Sequence, residues 1–415
     1  MLLENLLSKD SEEAFLHLER NVNARFPLDK KYADVDEKYT PDRGDRVFPL
    51  PFVLLPVQET DYYESNPTQK IKEELLEGED IKFSVHPEMI SDYTNLEIRS
   101  LLKNNGFFEV SPTSSTRTVF TRNLDKNFML KVNLERKLGE NVRRLRRNQV
   151  EHSNKICIDF ENSQFPEFLG YLPETMGAVY VCNGIETGMV VREFQARPIS
   201  NEKTYLLPFF SLFYLDKMFK EDDPLLTQII EKFSVGNEFG FFREKILKPL
   251  IDSFAYFILD RGMDVDMHAQ NTLLEIDKNG TPKRIVYRDF QDLFINLDRR
   301  EHLGLSTDFS RNIMERPSKN YVVNGNRIED NRKYKQILYS FEYDYKIGRI
   351  LDYFSIVLSK FPSCSEEKII DTAKEIFKKS FGETDIFPKK AYHLRQGQDN
   401  FEREFVFVEQ EAKYR

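Results

Sequence analysis

The sequence predicts an α+β fold. Two hairpin patterns, at residues 107–135 and 267–293, alternate apolar and polar positions around turn signals, while residues 1–25, 203–261 and 366–382 follow a helical period. A chain of 415 residues with 40% apolar and 31% charged side chains can bury a substantial core, which excludes wholesale disorder. Its length allows two or three domains, or one large elaborated fold.

In chain order, residues 1–25 read as one amphipathic helix, with Leu2, Leu3, Leu6, Leu7, Phe15 and Leu18 at helical spacing. Residues 26–70 are rich in Pro, Asp and Tyr and are expected to be irregular apart from the apolar run at 48–57. TNLEIRSLLKNNG (94–106) reads as a helix closed by Gly106. TRTVFTR and FMLKVNLE flank the turn NLDKN as a hairpin. In its second strand Phe128, Leu130, Val132 and Leu134 share one face, so Lys131 points to the other. ENVRRLRRNQVEH (140–152) is expected to be a helix, with Val142, Leu145 and Gln149 inward. The stretches VYVCNG and GMVVREF read as strands, and 203–261 as mainly helical. MHAQNTLLEIDKNGTPKRIVYRDFQDL reads as loop, strand, Asn-Gly turn and strand. Beyond about residue 300, polar loops alternate with helices such as EEKIIDTAKEIFKKSFG.

Composition narrows the function. A net charge of −9 argues against a general nucleic-acid binder. Cys157, Cys182 and Cys364 have no CxxC spacing, which fits a reducing compartment and argues against structural zinc. The first fifteen residues are too charged for a signal peptide, and the longest apolar runs are about half the ~20 residues a membrane helix needs. A soluble, cytoplasmic protein with neither nucleic-acid nor membrane partners is expected.

Four segments point to one kind of chemistry. SPTSSTRTVF (111–120) is either a plain hydroxyl-rich turn or a phosphate-holding one, in which backbone N–H groups, hydroxyls and the Arg117 fork meet phosphate oxygens. Lys131, fourteen positions after Arg117, is either a solvent-facing strand lysine or the lysine that kinase-like folds aim at phosphates. Arg143, Arg144, Arg146 and Arg147 form a charge run, either a solvated face or a source of one arginine for an acidic substrate. HAQN (268–271) and RDFQD (288–292) flank a hairpin, so the Asn271 amide oxygen and the Asp289 carboxylate suit Mg²⁺, with His268 facing the reacting phosphate. The plain alternative there is a satisfied histidine and a hairpin salt bridge. HRD, GxGxxG and GxxxxGK[ST] motifs are all missing from the sequence.

PTSSTRT (112–118), the lysine of MLKVNL with an arginine twelve residues later, VVRE (190–193), HAQN and the downstream RD together resemble the IucA/IucC-type siderophore synthetases, which work independently of nonribosomal peptide synthetases. The resemblance covers roughly residues 82 to 295. It implies a fold like a cupped hand with thumb, fingers and a kinase-like palm. It also implies an ATP- and Mg²⁺-dependent ligase that activates a carboxylate, often citrate or a derivative, as an acyl-adenylate and passes it to an amine or hydroxyl. Carried over by position, Ser114, Ser115, Arg117 and Thr118 would hold the phosphates and Lys131 the α-phosphate. Arg143 and His268 would bind the carboxylate, Gln270 would lie near the nucleotide, and Asn271 and Asp289 would hold Mg²⁺. Arg192 and Glu193 match a family segment without an assigned role. Residues 1–105 would form a shortened thumb-like region, 106–200 the fingers and 201–415 the palm. Family members carry a longer N-terminal region with paired His-Pro motifs, whereas this sequence has one, His86-Pro87. A homodimer is compatible with the resemblance. A small-molecule phosphotransferase on the same scaffold, and a nucleotide-binding homologue without turnover, remain the alternatives.

Overall fold

The computed structural model describes residues 2–22, 35–41, 46–90, 106–138, 141–182, 184–309, 313–314, 320–382, 384–394 and 404–415. The helix expected at 94–106 falls outside them except for Gly106, its expected closing residue. The N-terminal helix is two helices, Leu2–Leu7 and Ser11–Asn21. Asp10 stands extended at the junction, and Glu12 and Glu13 then occupy the first turn of the second helix, where carboxylates oppose the positive helix end.

The strands that follow are β1 (Phe48–Pro56), β2 (Asp61–Glu64), β3 (Leu76–Glu77), β4 (Asp80–Ser84), β5 (Phe107–Pro112), β6 (Thr118–Thr121) and β7 (Phe128–Val132). After a short pair, β8 (Leu134–Leu138) and β9 (Asn141–Arg143), come β10 (Leu169–Tyr171), β11 (Glu174–Cys182) and β12 (Ile185–Glu193). A nine-stranded sheet runs β2-β11-β12-β7-β6-β5-β1-β4-β3. Residues 26–70 therefore supply two of its strands and a helix, Gln69–Leu75, begins at their end. More of this region is regular than its Pro-rich composition implies.

The hairpin of β6 and β7 forms as expected, with Thr118 opposite Lys131. Its faces do different work. Phe128, Leu130 and Val132 join a core with Leu50, Val53, Ile81 and Val191 on one side. Met129, one step out of phase, packs with Phe15, Phe120, Leu273 and Val286 on the other. Lys131 shares Met129's side, so the period-two alternation aims it at the second sheet.

That second sheet contains β13 (Thr204–Pro208); then, after the tiny β14 (Met263–Asp264), β15 (Thr272–Asp277) and β16 (Pro282–Tyr287) form the expected hairpin. Its order is β10-β16-β15-β13. The Asp277 carboxylate accepts the N–H groups of Asn279 and Thr281, both at 2.9 Å, and Gly280 takes φ 94°, a conformation that favours glycine. Helices Leu225–Phe233, Lys248–Arg261, Gly348–Leu358 and Glu366–Phe381 enclose the largest core. After β17 (Phe294–Ile295), four short strands, β18 (Asn320–Val323), β19 (Asn326–Arg327), β20 (Ala391–Leu394) and β21 (Glu404–Gln410), form a further sheet in the order β19-β18-β21-β20. The sequence pattern does not reveal this sheet, because its parallel pair, β18 with β21, joins segments far apart in the chain. Among the described residues, no helix is long and apolar enough to cross a membrane.

The helix expected at 140–152 begins only at Arg147 and runs to Glu161. Tertiary bonds hold the preceding residues extended. Leu134 pairs with Arg143, the Leu145 N–H donates to Asn133 Oδ1 at 2.7 Å, and the Arg117 guanidinium donates to the carbonyls of Arg143 and Arg144. Carbonyls and N–H groups so engaged are withdrawn from an α-helical ladder. Leu145 is buried as expected, but Val142 is 41% exposed. The helix packs on β11 and β12 where Gly177 and Gly188 meet Val150. A Cβ on Gly188 would lie 2.8 Å from the Leu145 carbonyl oxygen and 2.9 Å from Val150 Cγ2. Gly188→Ala is therefore expected to destabilise the protein by about 1–3 kcal/mol, read as a lower urea midpoint with an unchanged slope.

Candidate active site

Between the two sheets lies a buried ion pair. Lys131 Nζ, on a side chain only 2% exposed, stands 2.5 Å from Asp289 Oδ1, whose side chain is one-third exposed. Asp289 follows β16 with φ 81°, an uncommon conformation for a residue other than glycine. Arg192 Nη2 lies 3.8 Å from the same carboxylate oxygen. Arg192 is in turn fixed by Glu174, whose Oε1 accepts its Nε at 3.1 Å and its Nη2, while the Ser153 hydroxyl donates to Glu174 Oε2.

The electrostatics follow from this packing. Burial, reinforced by Arg117 and Arg192, pulls the Lys131 ammonium down to about 8 although Asp289 and Glu174 oppose the shift. Burial acts to raise Asp289, but Lys131, Arg192 and Arg117 outweigh it and hold the carboxyl well below its usual range. Burial and the nearby Arg143 bring Arg117 down to about 10.

The hydroxyl-rich turn borders this pair. Arg117 is buried and donates to the Arg143 and Arg144 carbonyls at 3.1 and 3.0 Å and to Gln291 Oε1 at 3.2 Å. Its guanidinium therefore braces the turn against the extended segment before the helix. Thr116 adopts φ 61°, and its buried Oγ1 has no hydrogen-bond partner. The Thr113 hydroxyl closes the turn on the Thr118 carbonyl at 2.6 Å. Thr118 Oγ1 donates to Ser115 Oγ at 3.3 Å, and Ser114 Oγ accepts from Gln270 Nε2 at 2.8 Å. The last contact joins the turn directly to HAQN across 156 residues.

Within HAQN, His268 Nδ1 accepts the N–H groups of Gln270 and Asn271 at 3.1 and 3.3 Å. That leaves Nε2 to carry the ring proton, 3.8 Å from Asp266 Oδ2. Asn271 Nδ2 donates to the Asp266 carbonyl at 3.2 Å, which turns the amide oxygen the other way. The Arg288 N–H donates to the Asn271 carbonyl at 3.0 Å, so Asn271 and Asp289 stand at the same end of the hairpin.

Lys131 thus pairs with Asp289, Ser114 with Gln270, and Asn271 with the residue before Asp289, while Arg117, Ser115 and Thr118 lie on the same turn as Ser114. Arg143 meets the cluster through its carbonyl, with its own side chain partly exposed. The other three arginines of the run point to surface carboxylates: Arg144 and Arg146 pair with Glu135, and Arg147 with Asp61. Of the unassigned VVRE pair, Arg192 belongs to the site. Glu193 faces elsewhere, accepting the Thr68 N–H at 3.0 Å and Arg197 Nη2 at 3.3 Å.

Glu19 is a residue the sequence concealed. It sits fully buried on the helix Ser11–Asn21, accepts the Ser114 N–H at 2.8 Å on Oε2, and pairs with Arg288 Nη2 at 2.7 Å through Oε1. One carboxylate thereby ties the N-terminal helix to the turn and to the residue preceding Asp289. In the sequence it looks like any polar position of an amphipathic helix, so no local signal marks it.

Glu19→Ala leaves a buried N–H and a buried guanidinium without their acceptor and is expected to lower stability by about 3–5 kcal/mol, measured by urea denaturation. Asp289→Asn exposes the Lys131 charge to its burial without compensation; with the partial exposure of Asp289 discounted, the expected loss is about 1–3 kcal/mol near pH 6. The sign of its pH dependence is set by Lys131. Losing Asp289 lowers the lysine further, so the variant sheds this proton before the wild type does. Its deficit should shrink as pH rises towards and past about 8, and a deficit constant from pH 6 to 9 would refute the pairing.

Comparison with known proteins bears on this geometry. A family model described as ferric iron reductase FhuF-like transporter matches residues 244–323, a span that includes HAQN and RDFQD. No curated protein matches the chain by sequence. Among solved structures, the petrobactin biosynthesis protein AsbB of Bacillus anthracis superposes with TM-score 0.68 at 16% identity, covering 93% of this chain and 71% of that one. Aerobactin synthetase IucC from a hypervirulent pathotype of Klebsiella pneumoniae gives TM-score 0.69 at 12% identity over 99% of this chain and 77% of its own. ATP-bound aerobactin synthetase IucA from the same source gives 0.66 at 15%, covering 94% and 75%. The nine-stranded sheet, the hairpin sheet and the helical region around them together make this chain a protein with the fold of the IucA/IucC-type siderophore synthetases.

Proposed function

We propose that the chain is an ATP-dependent synthetase that activates a carboxylic acid as an acyl-adenylate and condenses it with an amine or hydroxyl, in the assembly of a siderophore or related metabolite. The observation that carries this reading is the Lys131–Asp289 pair, which joins the strand lysine and the hairpin aspartate beside a hydroxyl-rich turn. A solved relative in fold, IucA, is described as ATP-bound. In this reading the β-rich region acts as fingers over a kinase-like palm, the N-terminal region as a thumb, and the protein works in the cytoplasm.

The residues suit an α-phosphate displacement. A carboxylate oxygen attacks the α-phosphorus, the bond to the bridging oxygen breaks, and pyrophosphate leaves with its electron pair. An amine or hydroxyl then attacks the acyl carbon, loses one proton and releases AMP. Bringing two anions together needs fixed positive charge in a site shielded from water. Lys131 and Arg117 supply it from buried positions. His268, whose Nδ1 accepts two backbone N–H groups, would turn Nε2 to an anionic oxygen of the substrate, and Arg143 stands at the edge of the turn. Ser115 and Thr118 offer hydroxyls to phosphate, whereas Ser114 is engaged by Glu19 and Gln270 and carries the turn.

The donor set also fits a magnesium ion. Asn271 presents a neutral amide oxygen and Asp289 a carboxylate kept ionised, a pair of hard oxygen ligands at one end of a hairpin. Among the described residues no group of three or more His, Cys, Asp or Glu side chains could hold a metal, so phosphate oxygens and water would complete the shell. The ion would neutralise charge on the phosphates. Lys131 then exchanges its partner Asp289 for the α-phosphate.

Hydroxylamine trapping over a panel of di- and tricarboxylic acids tests the proposal. Hydroxamate should form with release of pyrophosphate and AMP, and Lys131→Ala should lower the rate by about 10²–10³-fold with the fold retained. Release of ADP would instead establish a phosphotransferase.

A further inference from the structure

The segment Phe341–Ile347 is π-helical and interrupts an otherwise continuous helical run, between the helices Asn331–Ser340 and Gly348–Leu358. Such insertions are rare, and where they occur they are frequent at functional sites. This one is used on two faces. On the first, Lys346 Nζ lies 2.7 Å from Asp266 Oδ1 and 2.6 Å from Glu342 Oε1. Asp266 also supplies the carbonyl that accepts Asn271 Nδ2 at 3.2 Å, so the lysine reaches the amide of HAQN through one residue.

The second face meets the sheet of β18 to β21 and the residues that follow it. Asp344, whose side chain is 2% exposed, accepts Arg415 Nε on Oδ1 and Oδ2 at 3.0 and 2.8 Å. The same guanidinium donates to the carbonyls of Pro388 and Lys390 at 2.6 and 2.9 Å. The Ser340 hydroxyl donates to Asp344 Oδ2 at 2.7 Å and accepts the Tyr392 N–H at 2.8 Å. The Tyr343 hydroxyl donates to the Tyr414 carbonyl at 3.2 Å. β20, Tyr414 and Arg415 therefore grip the segment at Tyr343 and Asp344 and at Ser340 just before it.

Register makes the two faces depend on each other. A π turn holds one residue more than an α turn, and each residue of an α-helix advances about 100°. Relaxation to α-helix would rotate whatever follows by that amount and take Lys346 away from Asp266. The Asp266 carboxylate would then lose its ammonium, and the backbone that orients the Asn271 amide would lose its anchor. We propose that Asp344, held by Arg415, is a positioning residue: it keeps the π-helical register that presents Lys346 to Asp266 and thereby sets the HAQN loop. Its effect on rate rests on the adenylation reading, whereas its effect on the loop does not.

Hydrogen exchange of the full chain, read by mass spectrometry without substrate, tests this. In Asp344→Asn and in Arg415→Gln the amides of 341–347 and 264–271 should lose protection, while those of 107–132 keep their wild-type rates. The double variant leaves no buried charge unpaired and should match the single ones, since one pair is broken in all three. It carries the test if a single variant fails to fold. Unchanged exchange at 264–271, or a rise spread evenly over the chain and including 107–132, overturns the proposal. In the hydroxamate assay the half-saturating Mg²⁺ concentration should rise about 10–100-fold, a shift that a smaller folded fraction would not produce. A lower maximal rate at unmoved half-saturation also overturns the proposal. A wild type that forms no hydroxamate with any acid would remove the adenylation reading and leave the exchange result to decide the positioning role. Wild-type turnover with unchanged exchange at 264–271 in the variants would do the reverse.

Discussion

A lysine ammonium held almost wholly out of water is the constraint around which this molecule is arranged. Lys131 sits on the interior face of a strand whose other face belongs to the hydrophobic core, and its charge is tolerated because Asp289 is brought to it from the neighbouring sheet. Desolvating such a pair can cost as much as the attraction returns, so the pair is weak evidence for stability. Its value lies in position. It brings a strand from one sheet and the end of a hairpin from the other within hydrogen-bond distance.

The surrounding charges are graded rather than cancelled. Arg117, Lys131 and Arg192 are buried against the carboxylates of Glu174 and Asp289, an arrangement with one cation in excess among these five. Glu174 is committed to Arg192 and Ser153, which leaves Asp289 shared between Lys131 and Arg192. An anion arriving at the exposed side of Asp289 would enter a field already set up by buried groups, with little reorganisation needed. Thr116 and Asp289, two non-glycine residues at positive φ, lie in this same cluster, and Thr116 also leaves a hydroxyl without a partner. Local strain and an unmet hydrogen bond are tolerated where the surrounding contacts leave the backbone no alternative.

Those contacts come from the whole chain. Glu19 reaches the turn from the N-terminal helix, Gln270 reaches it from the HAQN loop, and Arg117 braces it against the segment before the helix Arg147–Glu161. The same extended segment closes on Asn133 through Leu145, and the helix that follows approaches the sheet only because Gly177 and Gly188 lack side chains. The hydroxyl-rich turn is therefore held from three directions by groups distant in sequence.

Period-two alternation was enough to find the β6–β7 hairpin, to place Lys131 opposite the core face and to identify the β15–β16 hairpin with Asn271 and Asp289 at one end. These are local properties, because strand pleating and turn chemistry are decided within a few residues. The arginine run misled because its helical spacing was overridden by bonds to Asn133 and Arg117, neither of which is near it in sequence. Glu19, the Arg192–Glu174 pair and the sheet formed by β18 to β21 left no local trace, since burial of a charge or pairing of distant strands depends on what the rest of the chain packs against it. Residue types and their spacing determined the two hairpins and the side of the strand on which Lys131 stands. Only the tertiary structure decided which side chains meet, because each contact is made between segments whose separation in sequence carries no information about their separation in space.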